Sequence, residues 1–147
     1  MKATGIVRRI DDLGRIVIPK EIRRTLHIRE SDPLEIFTDR EGQVILKKYS
    51  PIGEMTTFAK QYAESLAQVS GHATLIADRD QFIAVSGGCK QLLNKSVSRQ
   101  LEEKVNNRET VIAAKGDRNY VNIAEDIAVD YAWQLITPII CEGDIIG

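Results

Sequence analysis

The chain has few of the residues that bind metals or form disulfides: two cysteines and two histidines among 147 residues. Cys89 and Cys141 are widely separated and belong to no CxxC or Cys/His pattern, so neither a zinc site nor a disulfide framework is indicated. His27 has no plausible nucleophile nearby in the sequence, and His72 opens a predicted strand. No carboxylate pair or catalytic triad emerges. We therefore expect no metal, no cofactor and no enzymatic activity.

Long apolar runs are also missing. No stretch approaches the roughly 18 residues that a membrane helix needs, and the polar start MKATGIVRR has no signal-peptide core. The composition, 43% hydrophobic and 28% charged, is typical of a folded soluble protein. We expect a cytoplasmic protein that makes no membrane contact.

The net charge of −1 hides a strong asymmetry along the chain. Between Lys2 and Arg29, eight basic residues stand against the three acidic residues Asp11, Asp12 and Glu21. The basic residues are Lys2, Arg8, Arg9, Arg15, Lys20, Arg23, Arg24 and Arg29. From Pro51 onward the balance reverses, with nine Lys or Arg and thirteen Asp or Glu. Such a division is expected when one part of a protein contacts phosphate groups and the rest does not.

The first 50 residues predict a small α+β module. The predicted elements are a strand over Thr4–Ile10, a turn over Asp11–Gly14, a strand over Arg15–Ile18, a helix over Pro19–His27, and a hairpin of Leu34–Thr38 with Gln43–Lys48. Gly14 can take the positive φ that the first turn needs. A module of this size buries too little surface to be stable alone, and no metal or disulfide supports it. We therefore expect a dimer.

A boundary at Ser50–Gly53 leads into a predicted helix over Ile52–Ser70, with Gly71 as its C-terminal cap. An a/d heptad stripe marks one face of this helix. Its residues are Ile52, Met55, Ala59, Tyr62, Leu66 and Val69, widened by Phe58 and Ala63. Two interpretations stay open: the stripe packs on a sheet of its own domain, or it packs against the same helix of another chain.

The remainder predicts a mixed α/β pattern. The predicted strands are His72–Ala77, Phe82–Ser86, Thr110–Ala114, Tyr120–Ile123 and Ala132–Ile140, with a polar helix near Val97–Asn107. The chain stops at Gly147, part-way into what reads as a hairpin strand. Because an unpaired hydrophobic edge is an unusual terminus, we expect a truncated domain.

The arginines of the first module are arranged as a candidate binding surface. Lys20, Arg23, Arg24 and His27 share one face of the predicted helix, whereas Ile22 and Leu26 mark its buried stripe. Arg8 and Arg9 precede the Gly14 turn and Arg15 follows it. Arginine can grip phosphate or guanine edges in a bidentate manner. Two simpler alternatives are a solvated charged face, or pairing with Asp11, Asp12 and Glu21.

The same residues carry a family resemblance. GIVRRIDDLGRIVIPKEIRRTLHI followed by DPLEIFTDREGQVILKKY resembles the AbrB-type DNA-binding domain of bacterial transition-state regulators, with the pattern GxVRxxDxxGRxxIPxExRRxL. The whole chain resembles an AbrB-family transcriptional regulator of late spore development. The resemblance implies a dimeric swapped-hairpin β-barrel with one short helix per chain. It also implies a DNA-contacting set of Arg8, Arg15, Arg23 and Arg24, with Arg9, Lys2 and Lys20 nearby.

The resemblance further implies three segments: residues 1–50 as the DNA-binding domain, 51–71 as a connecting helix, and 72–147 as an incomplete GAF-like α/β domain. The expected function is a nucleoid-associated regulator that binds double-stranded DNA as a homodimer or a dimer of dimers. An oligomerisation role falls to Met55, Ala59, Tyr62, Leu66 and Val69. Activation or repression, and an unidentified small-molecule effector, stay open. Related barrels occur in antitoxins, but no disordered acidic tail follows here.

Overall fold

The computed structural model describes residues 4–147, and the chain divides between Tyr49 and Ser50 into two compact units. Each unit contains helix and antiparallel strand pairing, so the α+β class predicted from the sequence is confirmed. No helix in the described part of the chain is long and apolar enough to cross a membrane.

The first unit contains one short helix, α1 (Lys20–Thr25), and one hairpin formed by β1 (Leu34–Thr38) and β2 (Val44–Lys48). Pro19 immediately precedes α1, where the absence of its N–H costs no helical hydrogen bond. The helix ends two residues earlier than predicted because His27 has a φ of +51°, a left-handed conformation that does not continue an α-helix. The predicted hairpin is confirmed.

Two strands expected in the first unit, over Thr4–Ile10 and Arg15–Ile18, are absent from it. The N–H of Asp11 donates to the carbonyl of Arg15 across 3.1 Å, but no ladder continues from this bond. A strand needs a second strand to receive its backbone hydrogen bonds, and the single chain supplies none to these segments. Accordingly, no barrel is closed within the described residues.

The first unit buries very little of its apolar surface. In the range 4–49, Pro19 is the one residue in the buried class, and Ile22 is half-buried. Leu26, predicted to lie on the buried face of the helix, is 56% exposed, because nothing in the single chain covers it. The other exposed large apolar residues are Ile6, Val7, Ile10, Leu13, Ile16, Val17, Ile36, Phe37, Val44, Leu46 and Tyr49. This unit has no hydrophobic core of its own in the described residues.

The second unit has more elements and a defined core. In chain order they are α2 (Pro51–Glu54), α3 (Thr56–Ser70), β3 (Thr74–Ala77), β4 (Phe82–Ser86), a 3-10 turn (Lys90–Leu92), α4 (Arg99–Asn106), β5 (Val111–Ala114), β6 (Trp133–Ile136), β7 (Ile140–Cys141) and β8 (Asp144–Ile145). The strands pair as β3–β4, β5–β6 and β7–β8, all antiparallel.

Two helices replace the single one predicted over Ile52–Ser70. The break lies at Met55, whose φ of −92° and ψ of +28° depart from the helical region. The hydroxyl of Ser50 caps α2 by accepting a hydrogen bond from the N–H of Gly53 at 3.0 Å. Gly71, with a φ of +72°, ends α3 as predicted.

Two strand predictions in the second unit need correction. Tyr120–Ile123 forms no strand, because no ladder of backbone hydrogen bonds pairs it with another strand. Val121 and Ala124 are buried, and the bridge from Val97 to Ala124 is isolated. The strand expected over Ala132–Ile140 stops at the end of β6, since Pro138 has no N–H to continue the ladder. The hydrogen-bonded sheets described are four separate strand pairs and not one central sheet.

The core of the second unit has two clusters. The larger surrounds Leu92, which is fully buried, and its other buried members are Phe82, Leu101, Val121 and Ala124. The smaller joins Ala59 and Ala63 of α3 to Ile83 and Ala84 of β4. Small alanines on the helix allow it to lie close to the β3–β4 hairpin, so α3 packs on its own domain through these residues.

Candidate nucleic-acid interface

The loop that carries Arg15 is built around the carboxylate of Asp11. Its Oδ1 accepts the backbone N–H groups of Leu13 (3.1 Å) and Arg15 (2.7 Å). The N–H of Gly14, whose φ is +75°, donates back to the Asp11 carbonyl at 3.0 Å. An aspartate that bonds to the backbone ahead of it is a frequent turn former, and glycine tolerates the left-handed position. The predicted turn is therefore present, and its first residue organises it.

The same carboxylate holds the side chain of Arg15. The Nε of Arg15 donates to Oδ2 of Asp11 at 2.8 Å, while 70% of the arginine side chain stays exposed. The backbone N–H of Arg15, followed by its side chain, holds the pKa of the Asp11 carboxyl below its ordinary value, so this group is ionised at neutral pH. The sequence offered Asp11, Asp12 and Glu21 as partners for the arginines, and Asp11 pairs with Arg15.

Three other basic residues lie on α1. Lys20, Arg23 and Arg24 are exposed, in agreement with their common helical face, whereas Ile22 on the other side is half-buried. The N–H of Arg23 donates to the carbonyl of Pro19 at 3.0 Å, so the proline starts the turn that presents the arginine. His27 lies beyond the helix end and does not extend this face.

Arg8 and Arg9 precede the Asp11 loop and are exposed. Within residues 4–147, no ion pair or hydrogen bond engages the side chains of Arg8, Arg9, Lys20, Arg23 or Arg24. In the described part of the chain, five cationic side chains therefore face solvent without a compensating carboxylate. Lys2, the remaining predicted member of the set, lies outside the described residues.

One end of the basic helix borders a surface depression of about 440 Å³. Arg23 lines it together with Val17, Ile18, Ile28 and Arg29. The depression lies between the segment at Val17 and Ile18 and the helix, and Arg23 is on its border. Arg29, counted among the basic residues of the sequence but not among the expected DNA contacts, is half-buried, and its backbone N–H donates to the Asp32 carboxylate at 2.8 Å.

The predicted oligomerisation stripe divides into two sets on α3. Ala59 and Ala63 are buried against the β3–β4 hairpin, and Ala67 is also buried, so the interpretation that the helix lies on its own domain holds for this face. Met55, at the helix start, and Tyr62, Leu66 and Val69 are exposed, Val69 to 89%. Phe58 is also exposed and stacks on Tyr62 with 5.9 Å between ring centroids. An apolar ridge therefore runs beside the buried alanine face.

The other candidate groups of the second unit form no reactive site. Cys89 is half-buried, Cys141 is exposed, and both are free thiols. Within residues 4–147, no cluster of three His, Cys, Asp or Glu side chains could hold a metal ion. A polar cleft of about 250 Å³ beside α4 is lined by Gln100, Lys104 and Arg118, among others.

Comparison with known proteins decides which class of protein this is. Residues 54–147 match the family described as "Stage V sporulation protein T C-terminal, transcription factor". The chain belongs to this family. It is 57% identical to stage V sporulation protein T of Bacillus subtilis (strain 168) over 148 aligned residues, which cover 100% of this chain and 82% of that protein. It is a transcription factor of the sporulation type and not an enzyme, as predicted.

The N-terminal resemblance is also confirmed. The transition state regulatory protein AbrB of Bacillus subtilis (strain 168) is 43% identical over 108 residues, 74% of this chain and 93% of that protein. Residues 7–54 match the family described as "Antidote-toxin recognition MazE, bacterial antitoxin". A solved structure described as the DNA-bound N-terminal domain of AbrB aligns with 35% of this chain and 91% of its own, at 63% identity and a TM-score of 0.30.

Proposed function

We propose that this transcriptional regulator binds double-stranded DNA through the exposed basic side chains of its first unit. The observation that carries the proposal is a set of five cationic side chains that have no carboxylate partner within residues 4–147, together with Arg15 on the loop built by Asp11. Arg8, Arg15, Arg23 and Arg24 are the expected contacts, supported by Arg9, Lys20 and Lys2. Unpaired surface arginines release the counterions of DNA when they neutralise phosphates, which favours binding.

The short helix limits how the DNA can be read. α1 has six residues, which at 1.5 Å per residue gives a rod of about 9 Å, too short to insert several side chains along a major groove. We therefore propose that phosphate contacts supply most of the affinity and that flexible arginines adapt to groove shape. Specificity should be relaxed, without a sharp consensus sequence.

We propose that the first unit is a homodimer. Its described residues leave a dozen large apolar side chains exposed and bury no hydrophobic cluster, although the segment folds into a helix and a hairpin. A second copy would cover this surface and would give the segments 4–10 and 15–18 the strand partners that they lack. The swapped-hairpin barrel implied by the AbrB resemblance satisfies both requirements, and it would double the arginine set about a two-fold axis.

The second unit is proposed to join dimers. The exposed ridge of Met55, Phe58, Tyr62, Leu66 and Val69 has the spacing of a helix-packing face. We assign residues 51–71 to this contact, residues 1–50 to DNA binding, and residues 72–147 to a GAF-like regulatory domain. The cleft beside α4 does not favour an effector, since its 250 Å³ falls below the usual range of small-molecule sites.

An antitoxin role is the alternative that the match of residues 7–54 raises. It is disfavoured because the rest of the chain folds into helices and strands around a core, where toxin-binding antitoxins carry a disordered tail. A nucleoid-associated location follows from the proposed DNA binding, and activation and repression are equally compatible with it.

The proposal is tested by measuring DNA affinity of the full chain with fluorescence anisotropy. Arg8→Ala, Arg15→Ala, Arg23→Ala and Arg24→Ala should each weaken binding by about 5- to 100-fold while the dimer persists. The control is Arg99→Ala, which removes one positive charge from the second unit, where the Arg99 side chain is 84% exposed. Its affinity for DNA should stay within about twofold of the wild-type value. If Arg99→Ala weakened binding as much as the four, the site assignment would be wrong.

A further inference from the structure

Two loops of the first unit have the same hydrogen-bonding pattern, D-x-x-G-x, and they differ in one contact. The first runs from Asp11 to Arg15 and the second from Asp39 to Gln43. In each, the N–H of the aspartate donates to the carbonyl of the fifth residue, at 3.1 and 3.2 Å. In each, the glycine N–H returns to the aspartate carbonyl, at 3.0 and 3.4 Å.

The aspartate side chains also perform the same task in the two loops. Oδ1 of Asp11 accepts the N–H groups of the third and fifth residues at 3.1 and 2.7 Å. Oδ1 of Asp39 accepts its equivalents, from Glu41 and Gln43, at 2.9 and 2.8 Å. Gly14 and Gly42 have φ of +75° and +82°. Turn formation thus uses one carboxylate oxygen in both loops.

The second carboxylate oxygen distinguishes them. Oδ2 of Asp11 accepts the Nε–H of Arg15 at 2.8 Å. In the other loop the side chain of the fifth residue, Gln43, instead donates to Glu41 at 3.1 Å. Asp11 therefore does something that the turn alone does not require: it binds the guanidinium of an arginine that follows it.

We propose that Asp11 is a positioning residue for DNA binding, which holds Arg15 by its Nε so that the two terminal nitrogens of the guanidinium are presented to DNA. The inference rests on the proposed role of Arg15 as a DNA contact. Within residues 4–147 no hydrogen bond engages those terminal nitrogens. An arginine already held in one orientation loses less conformational freedom when it binds a phosphate or base edge. The lowered pKa of the Asp11 carboxyl keeps this contact charged at neutral pH.

Charge alone predicts the opposite effect. A carboxylate close to the DNA backbone repels phosphates, so neutralising it should strengthen binding if Asp11 has no positioning role. If Asp11 orients Arg15, neutralising it should weaken binding despite the removal of a negative charge. The sign of the change therefore separates the two accounts.

The test uses Asp11→Asn in the full chain, with a fluorescein-labelled DNA duplex as the probe. Asparagine keeps the oxygen that accepts the turn N–H groups and loses the charge that holds Arg15. We expect binding to weaken by about two- to tenfold. Asp39→Asn makes the same change in the matched loop and should bind within twofold of the wild-type chain.

A double variant distinguishes positioning from a general weakening. In an Arg15→Ala background, Asp11→Asn should cause no further loss, because the side chain that it positions is gone. The Arg15 Nε–H signal in NMR spectra provides a second readout: it should shift and exchange faster in Asp11→Asn and stay unchanged in Asp39→Asn.

The failures are separable. If Arg15→Ala weakens binding but Asp11→Asn binds as well as or better than the wild-type chain, the positioning role is wrong and the proposed DNA site stands. If Arg15→Ala binds normally, the arginine is not a contact, and both proposals fail at this residue. If Asp39→Asn loses as much affinity as Asp11→Asn, the effect comes from turn stability and the positioning role is overturned.

Discussion

The ammonium group of Lys48 donates a hydrogen bond to the backbone carbonyl of His27 across 2.8 Å, which ties the end of β2 to the residue where the chain leaves α1. It also lies 3.7 Å from the Asp32 carboxylate. A cation beside the carboxyl end of a helix compensates the unsatisfied carbonyl groups there. The hairpin therefore supports the helix that presents Arg23 and Arg24.

Replacing Lys48 with methionine should loosen this end of the helix. The variant keeps the aliphatic stem and removes the donor, so the amides of Leu26 and Ile28, which bond to carbonyls of α1, should exchange about two- to tenfold faster with solvent. Lys47→Met is the control, because the Lys47 ammonium lies over the Phe37 ring at 5.1 Å. Equal exchange rates in the two variants would show that Lys48 does not anchor α1.

The exposed ridge of α3 should govern assembly beyond the dimer. Tyr62→Glu and Leu66→Glu place a charge on side chains that are 54% and 43% exposed, and a buried contact between helices would not tolerate it. Light scattering should report a dimer for these variants and a larger assembly for the wild-type chain. Gln61→Glu, beside Tyr62 but off the ridge, should assemble normally. If Tyr62→Glu and Leu66→Glu had the same molar mass as the wild-type chain, the ridge would not be the contact between dimers.

The alanine face of the same helix could not be separated from this ridge by sequence. The heptad pattern grouped Ala59 with Tyr62 and Leu66, yet Ala59 is 3% exposed and packs on β4 while the larger residues face outward. The periodicity of a sequence identifies an apolar stripe, but it does not tell which residues of the stripe pack on their own domain and which stay exposed. The size of the side chains could have separated the two sets, because close packing of a helix on a hairpin favours alanine.

In the first unit, the sequence correctly predicted the elements that are formed by hydrogen bonds between near neighbours in the chain. The glycine turn at Gly14, the helix after Pro19 and the β1–β2 hairpin are all formed by contacts between near neighbours in sequence. The strands expected at 4–10 and 15–18 are absent, because no strand among the described residues pairs with them. The double contact of Asp11 with the turn and with Arg15 could not be predicted either, since its sequence position is compatible with turn formation, arginine pairing or both.

The core of the second unit should depend on Leu92. Its side chain is fully buried at the centre of the larger cluster, so Leu92→Ala should lower the free energy of unfolding by about 2–5 kcal/mol. Leu93, its neighbour, is 46% exposed, and Leu93→Ala should cost less than about 1 kcal/mol. Chemical denaturation of both variants compares them directly. A larger loss of unfolding free energy for Leu93→Ala than for Leu92→Ala would contradict the assignment of Leu92 to the core.

Removal of the hydroxyl should affect stability differently at Tyr131 and at Tyr120. The Tyr131 hydroxyl is buried and has no hydrogen-bond partner in the described residues, so Tyr131→Phe should leave the free energy of unfolding unchanged or raise it. The Tyr120 hydroxyl donates to the Tyr131 carbonyl at 2.8 Å and accepts its N–H at 3.3 Å. Tyr120→Phe should therefore cost about 1–3 kcal/mol.

The same tyrosine gives the stability a dependence on alkaline pH. Burial, followed by the nearby Cys89 thiol, raises the pKa of Tyr131 above its ordinary value, although the thiol does not reach hydrogen-bond geometry with the hydroxyl. The folded state then keeps a proton that the unfolded state releases near pH 10, so stability falls as pH rises from about 10. Melting temperatures across this range should fall less steeply for Tyr131→Phe. Identical slopes would contradict the assigned environment.

The central claim, that unpaired arginines of the first unit bind DNA phosphates, is tested most directly by the salt dependence of DNA affinity. Plotting the logarithm of the association constant against the logarithm of salt concentration should give a steep negative slope for the wild-type chain. The Arg23→Ala/Arg24→Ala double variant should reduce that slope by about 2 for each protomer that contacts the duplex, whereas Arg99→Ala should leave it unchanged. A flat response for the wild-type chain, or equal slopes for the wild-type chain and the double variant, would contradict the account.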